Sequence, residues 1–174
     1  MKRAARAPSR RRAPAAGAVA IVVAAPEWRR RLRSAPGIAR RAAHAALGAM
    51  GSRDSGELAV VLADNRLSRR LNRTWRGKDK PTNVLSFPAV DGSLRPKDAP
   101  RLLGDVVLAG GVVAAEAEAQ GKRLSAHLTH LVVHGVLHLL GHDHERQRDA
   151  RRMEALEIRI LRRLGVANPY EAAG

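Results

Sequence analysis

The sequence lacks cysteine, contains few aromatic residues and has no long apolar run. Because none of the 174 residues is cysteine, disulfide scaffolds and thiolate metal sites are excluded, and any metal ion must be held by nitrogen and oxygen. Aromatic residues make up 2% of the chain and hydrophobic residues 45%, so we expect a core of Leu, Val, Ile and Ala. No segment is long and apolar enough to span a bilayer, so we expect no membrane partner.

Acidic residues are also scarce relative to basic ones. The chain has 32 Lys and Arg residues against 16 Asp and Glu residues, a net charge of +16. Such an excess favours polyanionic partners such as RNA. The composition of an Arg- and Ala-rich genome would give the same charge, so a nucleic-acid function needs a site as well.

The N-terminal region allows two interpretations. Residues 1–16 are mainly Arg, Ala and Pro without periodicity, which is typical of a disordered basic tail. Residues 1–25 also have the basic and then apolar order of a secretory signal. The β-branched residues between Val19 and Val23 favour a buried strand instead. We therefore expect a basic tail over 1–16, one folded domain over 17–170 and a short tail over 171–174.

Alternating strand and helix patterns predict a single α/β domain with one mixed sheet of about four strands and five to six helices. Strands are expected near residues 18–24, 57–62, 82–88 and 102–109, and helices near 27–33, 36–50, 64–75, 111–121, 125–140 and 146–164. Asp64 and Ser125 stand where a side chain can cap the following helix.

The stretch HGVLHLLGHDH, residues 134–144, has the spacing of a metal site. His134 and His138 are four residues apart in a predicted helix, so both imidazoles lie on one face, one turn apart. Gly141 permits a sharp turn that can bring His144 to the same ion. Three histidines with an open fourth position are typical of catalytic zinc. We therefore predict one Zn²⁺ per chain.

The remaining polar residues near this motif are expected to have supporting roles. His130 shares the helix face, but three ligands on one straight helix would span about 12 Å, so we expect His130 to pack behind a ligand. Asp143 can orient a ligand imidazole through its free N–H, and an exposed carboxylate in the turn is the equal alternative. His142 is expected to face solvent or substrate. We expect structural roles for His127 and His44.

The metal spacing matches that of metzincin proteases, H-E-x-x-H-x-x-G-x-x-H, with one difference. Gly135 stands where those proteases have the glutamate that acts as general base. Its absence argues against peptide hydrolysis, whereas a metal ion would still activate water. A phosphodiester substrate fits a chain of charge +16.

A second basic stretch, LNRTWRGKDKPTNVLSFP at residues 71–88, offers contacts for phosphate. Arg76 ends the predicted helix, so the loop that follows can direct its guanidinium into a cleft. The planar guanidinium of arginine suits phosphate oxygens. We expect Trp75 to be a packing residue rather than a platform for base stacking.

Four segments in order resemble one known family. HGVLHLLGHDH resembles the H-G-x-L-H-L-x-G-x-D-H signature of the YbeY family of bacterial endoribonucleases. LNRTWRGKDKPTNVLSFP resembles the second block of that family, LGDVVLA at 103–109 the strand that follows, and LEIRILRRLGVANPY at 156–170 the C-terminal helix. The resemblance covers about residues 56–170.

The resemblance implies a zinc-dependent endoribonuclease that cleaves single-stranded RNA. It implies work on ribosomal RNA, notably at the 3′ end of the small-subunit RNA, and in ribosome quality control, and hence a cytoplasmic location. His134, His138 and His144 match the zinc ligands, and Arg76 matches the arginine important for activity. One departure is His142, which stands where the family often has tyrosine.

Two other functions remain open at the level of sequence. A zinc metalloprotease is favoured by the histidine spacing and opposed by Gly135. A non-catalytic, ribosome-associated RNA-binding protein with structural zinc is disfavoured because structural zinc sites usually have four protein ligands. The sequence carries no signal for an oligomeric state.

Overall fold

The computed structural model describes residues 18–51, 56–90, 101–142 and 146–171. The basic tail expected at 1–16 lies outside this part of the chain, as do the last three residues of the C-terminal tail.

Four strands and six helices alternate along the chain. The strands are β1 (Val19–Val23), β2 (Glu57–Ala63), β3 (Val84–Pro88) and β4 (Leu102–Ala109). The helices are α1 (Glu27–Arg31), α2 (Ala35–Ala49), α3 (Asn65–Arg76), α4 (Gly110–Ala119), α5 (Leu124–Leu139) and α6 (Gln147–Arg163). The strands form one sheet in the order β1-β2-β4-β3. Because β1, β2 and β4 are parallel and β3 is antiparallel to β4, the prediction of an α/β domain with one mixed sheet is confirmed.

The two faces of the sheet pack against different helices. Successive side chains of a strand point to opposite faces, and in β2 the pair Val60 and Leu62 enters the main core with residues of α2, α5 and α6. Ala63 faces the other way, into a smaller cluster that Leu67 and Leu71 of α3 cover. Helix α3 therefore lies on one face of the sheet and α5 on the other.

Small and branched residues replace aromatic ones in the main core, as the composition predicts. Helix α2 buries five alanines, at positions 35, 39, 42, 43 and 46, and so presents a nearly smooth surface to α5. Helix α5 buries Leu128, Val132, Val136 and Leu137 completely. These apolar residues do not occupy the stripe of α5 that carries His134 and His138, so that stripe can line a cavity.

Two helix ends fix the basic stretch near the sheet edge. The Asp64 carboxylate accepts a hydrogen bond of 2.8 Å from the Leu67 backbone N–H, which confirms the predicted cap of α3. Gly77 ends that helix with φ of 66°, a left-handed conformation that glycine adopts at little cost.

The predicted cap by Ser125 is wrong, because α5 begins after an extended Arg123 without a side-chain cap.

No helix in the described part of the chain combines the length and apolar character that crossing a membrane requires.

Candidate active site

The end of α3, strand β3 and the second half of α5 enclose an open cavity of about 610 Å³. Ten residues line it: Arg76, Thr82, Asn83, Val84, Ser86, Pro88, His134, His138, Gly141 and His142. The fold thus brings two of the three predicted zinc ligands and the predicted phosphate-binding arginine to one cavity, although they are separated by about sixty residues in sequence.

His134 and His138 lie one turn apart on α5, and their Nε2 atoms are 3.1 Å apart. Zn–N bonds are about 2.0–2.1 Å long, so two nitrogens on one tetrahedral ion are separated by roughly 3.3 Å. The observed distance fits two ligands of a single zinc ion. No further movement of the helix is needed to bring these two atoms into range.

The chain turns directly after these histidines, as predicted. Gly141 has φ of 87° and so adopts the left-handed conformation that suits a turn after a helix. His142 lines the cavity rather than pointing away from it. The predicted third ligand His144 and the predicted supporting residue Asp143 lie outside the described residues.

A buried carboxylate holds the far side of His134. Glu157 of α6 is fully buried, and its Oε1 lies 2.6 Å from His134 Nδ1. Tyr170 donates its hydroxyl proton to Glu157 Oε2, and His130 Nε2 lies 3.5 Å from the same oxygen.

These contacts determine which nitrogen of His134 faces the cavity with a lone pair. Burial raises the pKa of Glu157, but contacts with His130, His134 and Tyr170 outweigh burial and lower that pKa to about 2. An ionised carboxylate only accepts hydrogen bonds, so His134 carries its proton on Nδ1. In the neutral imidazole Nε2 then carries the lone pair, which is the form that binds a metal ion.

Sequence reasoning missed Glu157, although a signal was present. In α6 the apolar stripe includes Met153, Leu156 and Ile160, and Glu157 falls among these residues as a charge on a core-facing position. A carboxylate on a core-facing position requires a buried partner.

His130, His134 and Glu157 also have ligand atoms within 4.8 Å of one another, so these three residues are a second group that could hold a metal ion.

A second imidazole–carboxylate pair supports the wall of the cavity. His127 Nε2 lies 2.9 Å from Glu116 Oε2, and Asn83 donates from Nδ2 to the same oxygen at 3.0 Å. Burial lowers the pKa of His127, whereas the neighbouring Glu116 opposes that shift. His127 has the structural role expected for it, and through Glu116 it holds Asn83 at the cavity.

The close approach of α5 to the sheet explains the glycine at position 135. A Cβ atom at Gly135 would lie 2.5 Å from Val106 Cγ1 and 3.2 Å from Ser86 Oγ. Ser86 donates its hydroxyl proton to the Gly135 carbonyl at 3.0 Å. The glutamate that metzincin proteases carry at this position would therefore require α5 to move away from the sheet.

Among the basic residues of the second block, Arg76 is the one that lines the cavity. Arg69 pairs with Asp79 at 2.8 Å on the surface. Trp75, expected to be a packing residue, packs only in part. Its ring contacts Phe87 with centroids 6.0 Å apart, but 70% of the residue is exposed.

Comparison with known proteins identifies the family. The sequence model described as Endoribonuclease YbeY matches residues 29–165. The chain belongs to the YbeY family. It is 50% identical over 155 residues to the endoribonuclease YbeY of Paramagnetospirillum magneticum, covering 87% of this chain and 94% of that protein. It is 47% identical to the endoribonuclease YbeY of Bradyrhizobium diazoefficiens, covering 86% of this chain and 83% of that protein.

The fold of a solved structure agrees with this assignment. The solution structure of a Thermotoga maritima protein superposes with a TM-score of 0.52, covering 88% of this chain and 99% of that chain at 18% sequence identity. At this identity the similarity establishes the fold alone.

Proposed function

We propose that the protein is a zinc-dependent endoribonuclease that cleaves single-stranded RNA at the cavity between α3, β3 and α5. The proposal rests on one observation. The Nε2 atoms of His134 and His138 lie 3.1 Å apart in a cavity that Arg76 also lines. An ion site beside a guanidinium suits a phosphodiester, whose oxygens need positive charge. The names of the curated relatives, each an endoribonuclease YbeY, support the same reaction.

For the metal ligands we favour His134, His138 and His144 over the alternative group of His130, His134 and Glu157. A metal ion bound by Glu157 and His134 Nδ1 would replace the 2.6 Å hydrogen bond between them. Such an ion would also be held by residues outside the cavity, since neither His130 nor Glu157 lines the cavity with Arg76. In the favoured arrangement Glu157 orients His134, and His130 contacts Glu157 from the side.

Each side chain of the cavity then has a task that its position allows. When bound, zinc supplies a Lewis acid and lowers the pKa of water to near 7. Arg76 meets the phosphate oxygens and stabilises the negative charge that grows on them during cleavage. Glu157 keeps His134 in the required tautomer, and Asn83, held by Glu116, presents a polar wall to the substrate.

We further propose ribosomal RNA as the substrate, notably the 3′ end of the small-subunit RNA, with a role in ribosome quality control. The family resemblance and the net charge of +16 support a large anionic partner such as the ribosome. Such a substrate implies action in the cytoplasm.

The test is incubation of zinc-loaded protein with labelled single-stranded RNA and, separately, with casein. We expect cleavage of the RNA and no cleavage of casein. His134→Ala should abolish RNA cleavage, whereas His44→Ala, which changes an exposed imidazole on α2, should not. Cleavage of casein would point to a protease, and RNA binding without any cleavage would point to a binding protein with structural zinc.

A further inference from the structure

Trp75 is exposed to a degree that its chemistry does not explain. The chain has two tryptophans. Trp28 is fully buried, and its Nε1–H donates to the Ala63 carbonyl at 2.9 Å, as a large amphipathic ring usually does. Trp75, by contrast, is 70% exposed on α3.

The indole of Trp75 is nevertheless held in place beside the cavity. It rests on Phe87 at 6.0 Å between ring centroids, with the two planes inclined by 59°. Phe87 belongs to edge strand β3, between Ser86 and Pro88, which both line the cavity from the other face of that strand. Arg76, the residue after Trp75, also lines the cavity. The indole therefore lies across the edge strand from the candidate active site.

The surface around this indole is strongly cationic. Helix α3 has no acidic residue and carries five exposed arginines: Arg66, Arg69, Arg70, Arg73 and Arg76. Within the described part of the chain, one of the five, Arg69, forms an ion pair. An exposed indole on a helix with an excess of guanidinium groups over carboxylates suits a polyanion with flat apolar rings better than it suits an apolar protein surface.

We propose that Trp75 is a stacking platform for an unpaired base of the RNA strand whose phosphate meets Arg76. The inference rests on the proposed endoribonuclease function and adds to it a base-binding site outside the cavity. Stacking on aromatic rings is how proteins hold unpaired bases, and it tolerates any base because each has a π face. The bases of a duplex are already stacked on each other, so Trp75 selects single-stranded RNA while the arginines bind the phosphates of either form.

The experiment is a titration of full-length protein with single-stranded oligoadenylate and with an RNA duplex, followed by tryptophan fluorescence. The protein is zinc-loaded, and a gel of the RNA after each titration verifies that the RNA is intact. We expect oligoadenylate to quench the exposed Trp75, and the duplex to quench it weakly. Trp75→Leu keeps an apolar side chain without a π face but lacks the reporting indole, so the affinities of the parent and the variants are compared by the fluorescence anisotropy of end-labelled RNA. Trp75→Leu should bind oligoadenylate roughly 5- to 100-fold more weakly, the usual range for one stacked base. Trp75→Phe should restore most of the affinity, and duplex affinity should not change in either variant.

Leu102→Ala is the matched control, since Leu102 is 58% exposed on β4, outside α3 and the cavity. It should leave both affinities unchanged. If Trp75→Leu binds oligoadenylate as tightly as the parent, the stacking site is refuted. If that variant instead dissociates an oligomer in sedimentation experiments, Trp75 is a contact between copies of the chain. Neither result depends on cleavage, so a failed stacking site and a failed endoribonuclease proposal are distinguishable.

Discussion

Glu157→Gln tests whether the buried carboxylate prepares His134 for zinc. The substitution keeps the shape and an acceptor oxygen but removes the charge from the residue that lies 2.6 Å from His134 Nδ1. A hydrogen bond to a charged group contributes about 1.5–3 kcal/mol and a neutral one about 0.5–1.5 kcal/mol, so the difference is roughly 1–1.5 kcal/mol. At about 1.4 kcal/mol per factor of ten, this predicts a loss of zinc affinity of about tenfold. Mutations of residues that orient metal ligands typically cost 10- to 100-fold, which agrees.

The assay is a competition titration with a chromophoric zinc chelator, combined with urea unfolding of the metal-free protein. We expect Glu157→Gln to destabilise the metal-free protein, because the contacts that lower the Glu157 pKa outweigh the cost of burying its charge and glutamine keeps only one of the two acceptor oxygens. Zinc affinity is therefore compared under conditions in which urea unfolding shows both proteins to be folded. Glu116→Gln is the matched control, since Glu116 forms the equivalent pair with His127 at 2.9 Å without contacting His134. If Glu157→Gln binds zinc as tightly as the parent while His134→Ala loses it, Glu157 does not orient the ligand.

Four further outcomes follow from the same site. Arg76→Ala and Arg76→Lys should both keep zinc but lose single-turnover cleavage by roughly 10²-fold, because lysine lacks the planar guanidinium; cleavage near the parent rate would remove Arg76 from the mechanism. His144→Ala should reduce the bound zinc measured by atomic absorption more than His130→Ala does, and the reverse order would support the group of His130, His134 and Glu157. Gly135→Ala should lower the urea midpoint by the equivalent of about 1–3 kcal/mol, because its Cβ would overlap the buried Val106; an unchanged midpoint would show that α5 can shift freely. Because burial depresses the pKa of His127 in the folded state, the stability it contributes is fully present above its unfolded value of about 6.5 and declines as the pH falls below it. We therefore expect the free energy of unfolding, measured in urea, to fall between about pH 7.5 and about pH 5.5 in the parent. The same fall should be smaller in His127→Gln.

Local patterns predicted the elements well because each depends on nearby residues. Strand β4 was predicted with the observed bounds, since prolines and charged residues precede its apolar run in the sequence and Gly110 follows it. The cap at Asp64 was predicted because an extended aspartate before a helix accepts from the N–H three residues later. Ser125 failed as a cap because the extended Arg123 is the residue that precedes α5, so Ser125 already lies inside the helix.

The candidate site was predictable only in part. Two of its proposed ligands are close together in the sequence, whereas the residues that support them are far away in the sequence. His134 and His138 share one turn of α5, so their spacing alone predicts their proximity. Glu157 lies 23 residues beyond His134, and Asn83 lies 33 residues before Glu116. Spacing does not predict such contacts, since they depend on how α6 packs on α5 and how β3 joins the edge of the sheet.

The packing of helix α5 stabilises the fold and also sets the geometry of the site. Its fully buried side chains, such as Val132 and Val136, fix the helix against the sheet and α2, and the missing Cβ at Gly135 allows the close approach. Because interiors are packed as densely as crystals, the helix cannot rotate without disturbing this core. His134 and His138 are therefore held at 3.1 Å by packing that lies on the opposite side of the helix. A change that loosens the core near Val106 should weaken zinc binding even though it contacts no proposed ligand.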